Sequence, residues 1–300
     1  MDASRNRQFG RGLLICLLLA LTAIMSPAVS ALELVFLSHR PAESVNRLAN
    51  MTASSLKADV RVVAAADIFG SEEFVAADMV VLVGAEAMPY RDRIPANIPV
   101  IAALVPADSV TTAQLKSAVF LEPPFYRQIA LARRLIGPDQ PFGVLADDAT
   151  RLEAACGCSG QLRQLGVKPY FIDEYSGLNR ALVELLQNSE ALIGIYDTEL
   201  FSAANIKNIL ITAYRQSKPL IGPSSAYIRA GAMATTYSDL ADVSRRLTEI
   251  ISGGLQGDWP EPGYNPYFKV RYNEQVARSL NLILPDADKL ADQLRKLEQP

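Results

Sequence analysis

The chain has 300 residues, a formal net charge of −3 at neutral pH and a hydrophobic content of 50%. That length and apolar content suffice for one or two packed cores, and a mildly acidic chain without a basic block argues against nucleic acid as a partner. The single histidine, His39, excludes a His-rich metal site, and we expect neither a metal nor a cofactor.

Residues 1–31 have the pattern of a secretory signal peptide. Basic residues precede an apolar core at positions 13–24, and small residues ending at Ala31 offer a cleavage site. The core is short for a membrane span, although an uncleaved anchor is the alternative interpretation. Cys16 lies in the middle of this core, which argues against lipidation. We therefore expect a periplasmic protein that is cleaved near Ala31 and does not span the membrane afterwards.

The next part of the chain alternates short apolar strands with helical patterns. Strands are predicted at residues 34–37, 60–64, 79–83 and 99–104, and a helix at 42–56. Short continuous apolar strands separated by helices are typical of a parallel α/β layer. The pattern predicts a first lobe over residues 32–120.

A second α/β lobe is predicted to begin after the first, at residues 121–237. Pro123 and Pro124 mark the change, because two consecutive prolines cannot lie inside a helix. Helices are predicted at 125–136, 149–165 and 178–186, and strands at 142–146 and 167–172. A helix at 240–251 is expected to pack on the first lobe, which then also takes 238–263. A strand near Phe268 returns the chain to the second lobe, which takes 264–300, and the crossings form a hinge suited to closure around a ligand.

Residues 191–239 indicate strand, helix, strand, helix and strand in succession. Asp197 follows the first of these strands, and Ser224 and Ser225 follow the second. Ligands of open parallel sheets bind in the crevice at the carboxyl ends of the strands. This stretch therefore predicts half of a ligand-binding cleft.

This order of segments resembles the periplasmic substrate-binding proteins of ABC importers, especially the group that handles aromatic amino acids and other small solutes. The likeness covers roughly residues 80–295 and diverges in the first lobe. It is carried by residues 191–239, Glu122-Pro123, the segment 268–273 and the ending Leu284-Pro285. The resemblance implies an α/β fold of two Rossmann-like lobes with parallel sheets joined by a hinge, as in type I periplasmic binding proteins. It also implies a small-molecule, amino-acid-like ligand and an inner-membrane ABC permease as partner.

Nine residues at or near strand ends are candidates for ligand binding. The resemblance implies that Asp197 meets a ligand ammonium group, and the alternative is that it caps a helix starting near Thr198. Ser224 and Ser225 can present hydroxyl and N–H groups to a carboxylate, or serve as caps. Glu86 follows Ala85, which replaces a hydroxyl residue of the family, so an amine is expected here rather than an anion. The remaining candidates are Ser38, His39, Tyr126, Tyr196 and Tyr227.

Sequence motifs for catalysis are absent. No glycine-rich dinucleotide or phosphate-binding motif occurs, and no histidine follows Ser224 as the order of a hydrolase triad requires. We therefore expect a binding protein without enzymatic activity that serves an importer. The alternatives are a periplasmic ligand-binding subunit for a sensor kinase or outer-membrane receptor, and a cryptic hydrolase that uses two carboxylates.

Cys156 and Cys158 flank a single glycine. Our first interpretation is an interrupted helix with two half-buried thiols. A local disulfide is the second, and a metal site the third, because two thiolates without a further ligand make a poor zinc site.

Overall fold

Two parallel sheets organise the chain, of which the computed structural model describes residues 31–40, 42–68, 70, 72–110 and 114–298. The predicted signal peptide lies outside the described residues up to position 30, and so does Cys16. Within the described part of the chain, no helix combines the length and apolar character that a membrane crossing needs.

The first sheet contains five strands, all parallel, in the order β2-β1-β3-β4-β5. They are β1 Glu33–Ser38, β2 Asp59–Ala64, β3 Met79–Val83, β4 Val100–Val105 and β5 Ser117–Phe120. Every residue of β3 is buried, because both faces of the sheet are covered. The four predicted strands are confirmed within a residue or two, whereas β5 was not predicted.

The second sheet has six strands in the order β11-β10-β9-β8-β6-β7, and β11 is antiparallel to β10. They are β6 Phe142–Ala146, β7 Val167–Phe171, β8 Ala191–Ile193, β9 Leu220–Ile221, β10 Ala234–Tyr237 and β11 Lys269–Tyr272. The antiparallel edge strand confirms the return of the chain to this sheet near Phe268. Both sheets together confirm the predicted α/β class with two parallel layers.

Nine α-helices lie in the described part of the chain. They are α1 Glu43–Leu56, α2 Phe125–Leu135, α3 Ala149–Cys156, α4 Leu178–Gln187, α5 Ala203–Arg215, α6 Ala226–Ala230, α7 Leu240–Gly254, α8 Glu274–Ser279 and α9 Ala287–Leu297. The expected packing of the 240–251 helix is confirmed, since α7 lies along α1 and contacts β4 and β5. A buried hydrogen bond of 3.1 Å from Thr52 Oγ1 to Ser244 Oγ joins the two helices.

Helix α3 is shorter than the predicted helix at 149–165. It ends at Cys156, where Gly157 takes a φ of 58°, the left-handed conformation that closes many helices. Cys156 and Cys158 are joined in a disulfide across this glycine. The interruption is therefore confirmed, but the interpretation as two free thiols is wrong, because the turn at Gly157 brings the two sulfur atoms together.

The connections between the two sheets are held by direct contacts. Phe120 at the end of β5 donates its N–H to the Gly263 carbonyl at 3.0 Å, so an outgoing and a returning segment run side by side. Arg127 of α2 is buried and binds both carboxylate oxygens of Glu298, at 2.6 and 2.7 Å. It also donates to the Asn265 carbonyl at 3.1 Å. These contacts fix the segments from which the second sheet departs.

Candidate functional site

Polar residues collect where the strands of the two sheets end. The carboxyl ends of parallel strands share one edge of a sheet, and ligands of such sheets bind there. On the first sheet the residues after the strand ends include His39, Glu86, Asp108 and Glu122. On the second they include Asp147, Asp197, Ser224 and Ser225.

The two polar edges lie against each other. The turn Ala107–Val110, which follows β4 of the first sheet, contacts α3 of the second. Burial raises the pKa of Tyr196, which follows β8, and the charges of Glu122 and Asp108 raise it further. The contact between this turn and α3, together with the effect of two first-sheet carboxylates on Tyr196, shows that the strand ends of the two sheets lie close together.

Glu122 is the most enclosed carboxylate of the first edge, with only 7% of its surface exposed. Its Oε1 accepts a hydrogen bond of 2.8 Å from the Ala107 N–H, which fixes the side chain against the turn after β4. Its Oε2 is buried and has no hydrogen-bond partner among the described residues. Burial raises the pKa of this carboxyl, hydrogen bonding to the Ala107 N–H and to the N–H of Glu122 itself opposes that rise, and Asp108 adds to it. Glu122 was not among the predicted site residues.

Three tyrosines lie in segments that border these strand ends. Tyr126 lies in the first turn of α2 and is about half exposed, while Tyr196 is partly buried after β8. Tyr264 comes from the returning segment and packs edge-on against Phe120, with ring centroids 5.0 Å apart. Burial raises the pKa of Tyr264 to about 12, with smaller contributions from Glu122 and Tyr126. Tyr126 and Tyr196 were predicted, whereas Tyr264 was missed because it lies in a loop without periodicity.

Asp197 is buried in the second edge, and both of its carboxylate oxygens accept hydrogen bonds. Its Oδ1 accepts hydrogen bonds of 2.9 Å from the N–H groups of Glu199 and Leu200. Its Oδ2 accepts one of 3.1 Å from Arg151 Nη2, which forms an ion pair. Asp197 thus closes the turn that follows β8. The expectation of a helix from Thr198 is wrong, because a turn occupies residues 198–202 and α5 begins at Ala203.

Arg151 and Asp147 are further polar groups of this edge that the sequence did not reveal. Arg151 lies in the first turn of α3 and approaches Glu199 at 3.5 Å in addition to Asp197. Burial raises the pKa of Asp147, the charge of Asp197 raises it further, and Arg151 opposes the rise. Their position after the apolar run 142–146, which was predicted as a strand, is the sequence signal that could have identified them.

The remaining candidates of the second sheet have mostly structural contacts. Ser225 lies at the start of α6 and makes no side-chain capping hydrogen bond, so the structure shows no capping role for it. The Ser224 carbonyl accepts the N–H of Tyr227 at 3.2 Å. Tyr227 donates its hydroxyl to the Phe201 carbonyl at 3.0 Å and packs edge-on against that ring. Its pKa is raised by burial and then by Tyr196 and Asp197, which places it beside them.

The candidates of β1 and β3 lie farther along the first edge. Ser38 is buried and donates its hydroxyl to the Arg40 carbonyl at 2.8 Å. His39 has a buried Nδ1 without a hydrogen-bond partner among the described residues, and its ring lies 6.4 Å from that of Tyr90. Glu86 is exposed in the 3-10 helix Ala85–Arg93.

Comparison with known proteins gives matches in structure but not in sequence. No protein-family model and no curated protein matches this chain. The ligand-free, open structure of CD0873, a substrate binding protein with adhesive properties from Clostridium difficile, matches with a TM-score of 0.65 and 13% identity over 85% of this chain and 96% of its own. This chain has the type I periplasmic-binding-protein fold.

Two further structures share the type I fold with this chain. The ABC domain from Streptococcus pneumonia in complex with L-Trp matches with a TM-score of 0.53 and 16% identity, over 86% of this chain and 97% of its own. A mutant of the XylFII–LytSN complex matches with a TM-score of 0.53 and 13% identity, over 82% of this chain and 99% of its own. The predicted resemblance to ABC substrate-binding proteins is thereby confirmed at the level of the fold.

One surface cavity lies away from the strand ends of the two sheets. It has a volume of about 690 Å³ and opens between α1 and α7, where it is lined by Met51, Ser244 and Thr248 among others. Its lining contains no buried polar side-chain atom without a partner, in contrast to Glu122. No three or more His, Cys, Asp or Glu side chains of the described residues are grouped so as to hold a metal. The unpartnered buried oxygen of Glu122 therefore favours the strand ends over this cavity as the place where a ligand binds.

Proposed function

We propose that this chain is an exported solute-binding protein that captures a small organic molecule in the cleft between its two lobes and performs no chemistry on it. The observation that carries the proposal is the meeting of two parallel-sheet edges with the buried polar groups of Glu122 and Asp197 at their strand ends. Such a crevice is where ligands of open α/β sheets bind. The lobes comprise residues 32–120 with 238–263, and residues 121–237 with 264–300.

We propose delivery to an inner-membrane ABC permease as the physiological role. Support comes from the order of sequence segments and from the names of fold neighbours, which include a substrate binding protein and an ABC domain with bound L-Trp. The signal-peptide pattern at residues 1–31 supports a periplasmic location. Fold likeness alone does not define the ligand, because one fold hosts many functions.

Sensing is the second candidate function. A fold neighbour is described in a complex with a second protein, LytSN, rather than as a lone transport component. In that role the closed, ligand-bound form of this chain presents a surface to a sensor kinase or an outer-membrane receptor. A permease and an ATPase encoded beside this chain favour import, whereas a kinase or receptor gene alone favours sensing.

Thermal unfolding of the protein against a panel of small solutes tests the proposal. The panel contains amino acids, amines, polyols, nucleosides and carboxylates, each at a high concentration. A ligand present at 100 times its Kd stabilises the folded state by about 2.7 kcal/mol, which raises the Tm measurably. The absence of a shift with every solute, checked by calorimetry, contradicts the proposed function.

A further inference from the structure

Glu122 holds a buried acceptor that the fold leaves unsatisfied. Of its two carboxylate oxygens, Oε1 is bonded to the Ala107 N–H, and Oε2 has no partner among the described residues. A buried polar group without a hydrogen bond costs free energy, and a buried charge without a partner costs more. A ligand group that donates a hydrogen bond to Oε2 would remove this cost.

The charged groups around Glu122 do not neutralise it. Asp108, from the turn after β4, repels its negative charge. The guanidinium of Arg127 in α2 is bound in a bidentate pair to Glu298 and is not among the groups that act on the Glu122 carboxyl. No ion pair reaches Glu122 within the described part of the chain. When Glu122 is ionised, its charge is left for a cation from outside the chain to compensate.

The charge of Glu122 acts on the phenols of Tyr196 and Tyr264, and Tyr126 follows Glu122 by four positions in the sequence. Tyr126, Tyr196 and Tyr264 come from three different segments, namely α2, the loop after β8 and the returning segment. Tyrosine combines an apolar ring with a polar tip, and its π-face attracts cations. The three rings can therefore pack against an apolar or aromatic body and also support a positive charge.

On the opposite edge, Asp197 is not available for a ligand cation. Both of its oxygens are bonded, to two N–H groups and to Arg151. An ammonium group that displaced Arg151 would break an ion pair to form another. At Glu122 the same group gains a charge-assisted hydrogen bond at an empty acceptor.

We propose that Glu122 is the ligand-binding residue that recognises a positively charged nitrogen, and that the solute is an organic ammonium ion with an aromatic or apolar body. This inference rests on the proposed function, because it assigns the class of solute to the same cleft. A neutral hydroxyl would satisfy Oε2 without compensating the charge, and an anion would be repelled by Glu122 and Asp108.

Three probes that share one ring and one two-carbon chain test the charge of the ligand. Tyramine carries an ammonium group, tyrosol a hydroxyl and 3-(4-hydroxyphenyl)propionate a carboxylate at the end of that chain. Isothermal titration of the protein with each probe is expected to give a Kd for tyramine about tenfold or more below that for tyrosol. The propionate is expected to bind more weakly than tyrosol.

The variant Glu122→Gln keeps the shape of the side chain and removes its charge. It is expected to lose the tyramine preference, so that tyramine and tyrosol bind with similar affinity, while the Kd of tyrosol changes little. The matched control is Glu190→Gln, since Glu190 precedes β8 at the opposite edge of the sheet and pairs with Lys218 at 2.8 Å. The control is expected to keep the affinity of the unmodified chain for all three probes.

Proton release provides a readout that a structural role of Glu122 does not produce. Burial raises the pKa of this carboxyl, so part of the ligand-free protein holds a proton there below that pKa. An ammonium ligand binds the ionised form and expels the proton. Calorimetry in two buffers with different ionisation enthalpies is expected to show this release for tyramine, and to lose it in Glu122→Gln.

The outcomes separate this inference from the proposed function. If solutes bind, but only neutral or anionic ones, or if Glu122→Gln leaves the ammonium preference intact, the inference is overturned and the proposed function stands. If another ammonium compound of the panel binds in place of tyramine and Glu122→Gln weakens it, the inference is supported. If no solute binds, the proposed function fails and the inference falls with it.

Discussion

The carboxyl of Glu122 sets a pH dependence for the stability of the ligand-free protein. Its pKa in the folded chain lies above the ordinary value of about 4.3, chiefly because of burial. Between these two values the folded state binds more protons than the unfolded chain, so stability falls as pH rises. The stabilising contribution of the protonated carboxyl is complete below the unfolded value and is lost as pH rises through the folded one.

Replacement of Glu122 by glutamine is therefore expected to stabilise the protein at neutral pH. The gain follows because the variant no longer buries a charge, and about 2–4 °C in Tm is expected for each kcal/mol gained. Thermal unfolding of both proteins from pH 4 to pH 8 measures it, and the difference should shrink toward the acidic end, where Glu122 is protonated. Glu190→Gln, which removes a paired and partly exposed carboxylate, should not reproduce this pattern. A Glu122→Gln protein that is less stable at pH 8 contradicts the prediction.

Asp197 shows how far a single residue can be predicted from sequence. Its position was predictable because it directly follows an apolar run, and strand ends of parallel sheets carry binding groups. Its ion pair with Arg151 could not be predicted, because Arg151 lies 46 residues away in sequence and comes close to Asp197 only through the pairing of β6 with β8. Glu122 was missed for a related reason, since it follows a strand that the sequence did not reveal.

Secondary-structure elements divide into those with a strong periodic signal and those without one. The runs at β1, β3 and β6 are continuous, apolar and buried, so their positions followed directly from the sequence. Strand β5 is only four residues long and begins with Ser117, and it forms because β4 and Gly263 offer hydrogen bonds. Helix α3 ends at Gly157 because this residue takes the left-handed conformation, which helical periodicity does not report.

The packing of β6 against α4 depends on the absence of a side chain at Gly143. A Cβ at this position would lie 2.4 Å from Leu185 Cγ and 2.8 Å from Ser189 Oγ, inside any allowed contact. Gly143→Ala is therefore expected to push α4 away from the sheet and to destabilise the protein by about 1–3 kcal/mol. Urea unfolding monitored by circular dichroism measures the loss.

Gly160 provides a matched control for this substitution. A Cβ there has no atom within 4 Å, and its φ is not in the left-handed region. Gly160→Ala is expected to change the free energy of unfolding by less than about 0.5 kcal/mol. Equal effects of the two substitutions would show that strand and helix are not packed as described.

At the scale of the whole molecule, the chain interleaves the two sheets. Strand β10 belongs to the second sheet. Helix α7 follows it in the sequence but packs on α1 and on β4 and β5 of the first sheet. Five residues of α7 are buried in that position, namely Val243, Ser244, Leu247, Ile250 and Ile251. The helical cover of the first sheet therefore includes a segment that is distant from its strands in sequence, and the helical pattern at 240–251 did not by itself reveal where that helix packs.

A fragment of residues 33–120 is therefore expected to remain unfolded on its own. Without α7, the apolar faces of α1, β4 and β5 that it covers are exposed to water, and burial of such surface contributes roughly 25 cal/mol per Å². The same fragment joined by a Gly/Ser linker to residues 238–263 regains this cover and is expected to fold. Circular dichroism and thermal unfolding of the two chains measure the difference. The control is the joined chain with Leu247→Asp, which has the same length as the joined chain but lacks the apolar contact of Leu247. A cooperative transition in the 33–120 fragment alone would contradict the shared construction of the first lobe, because it would show that α7 adds nothing essential to that core.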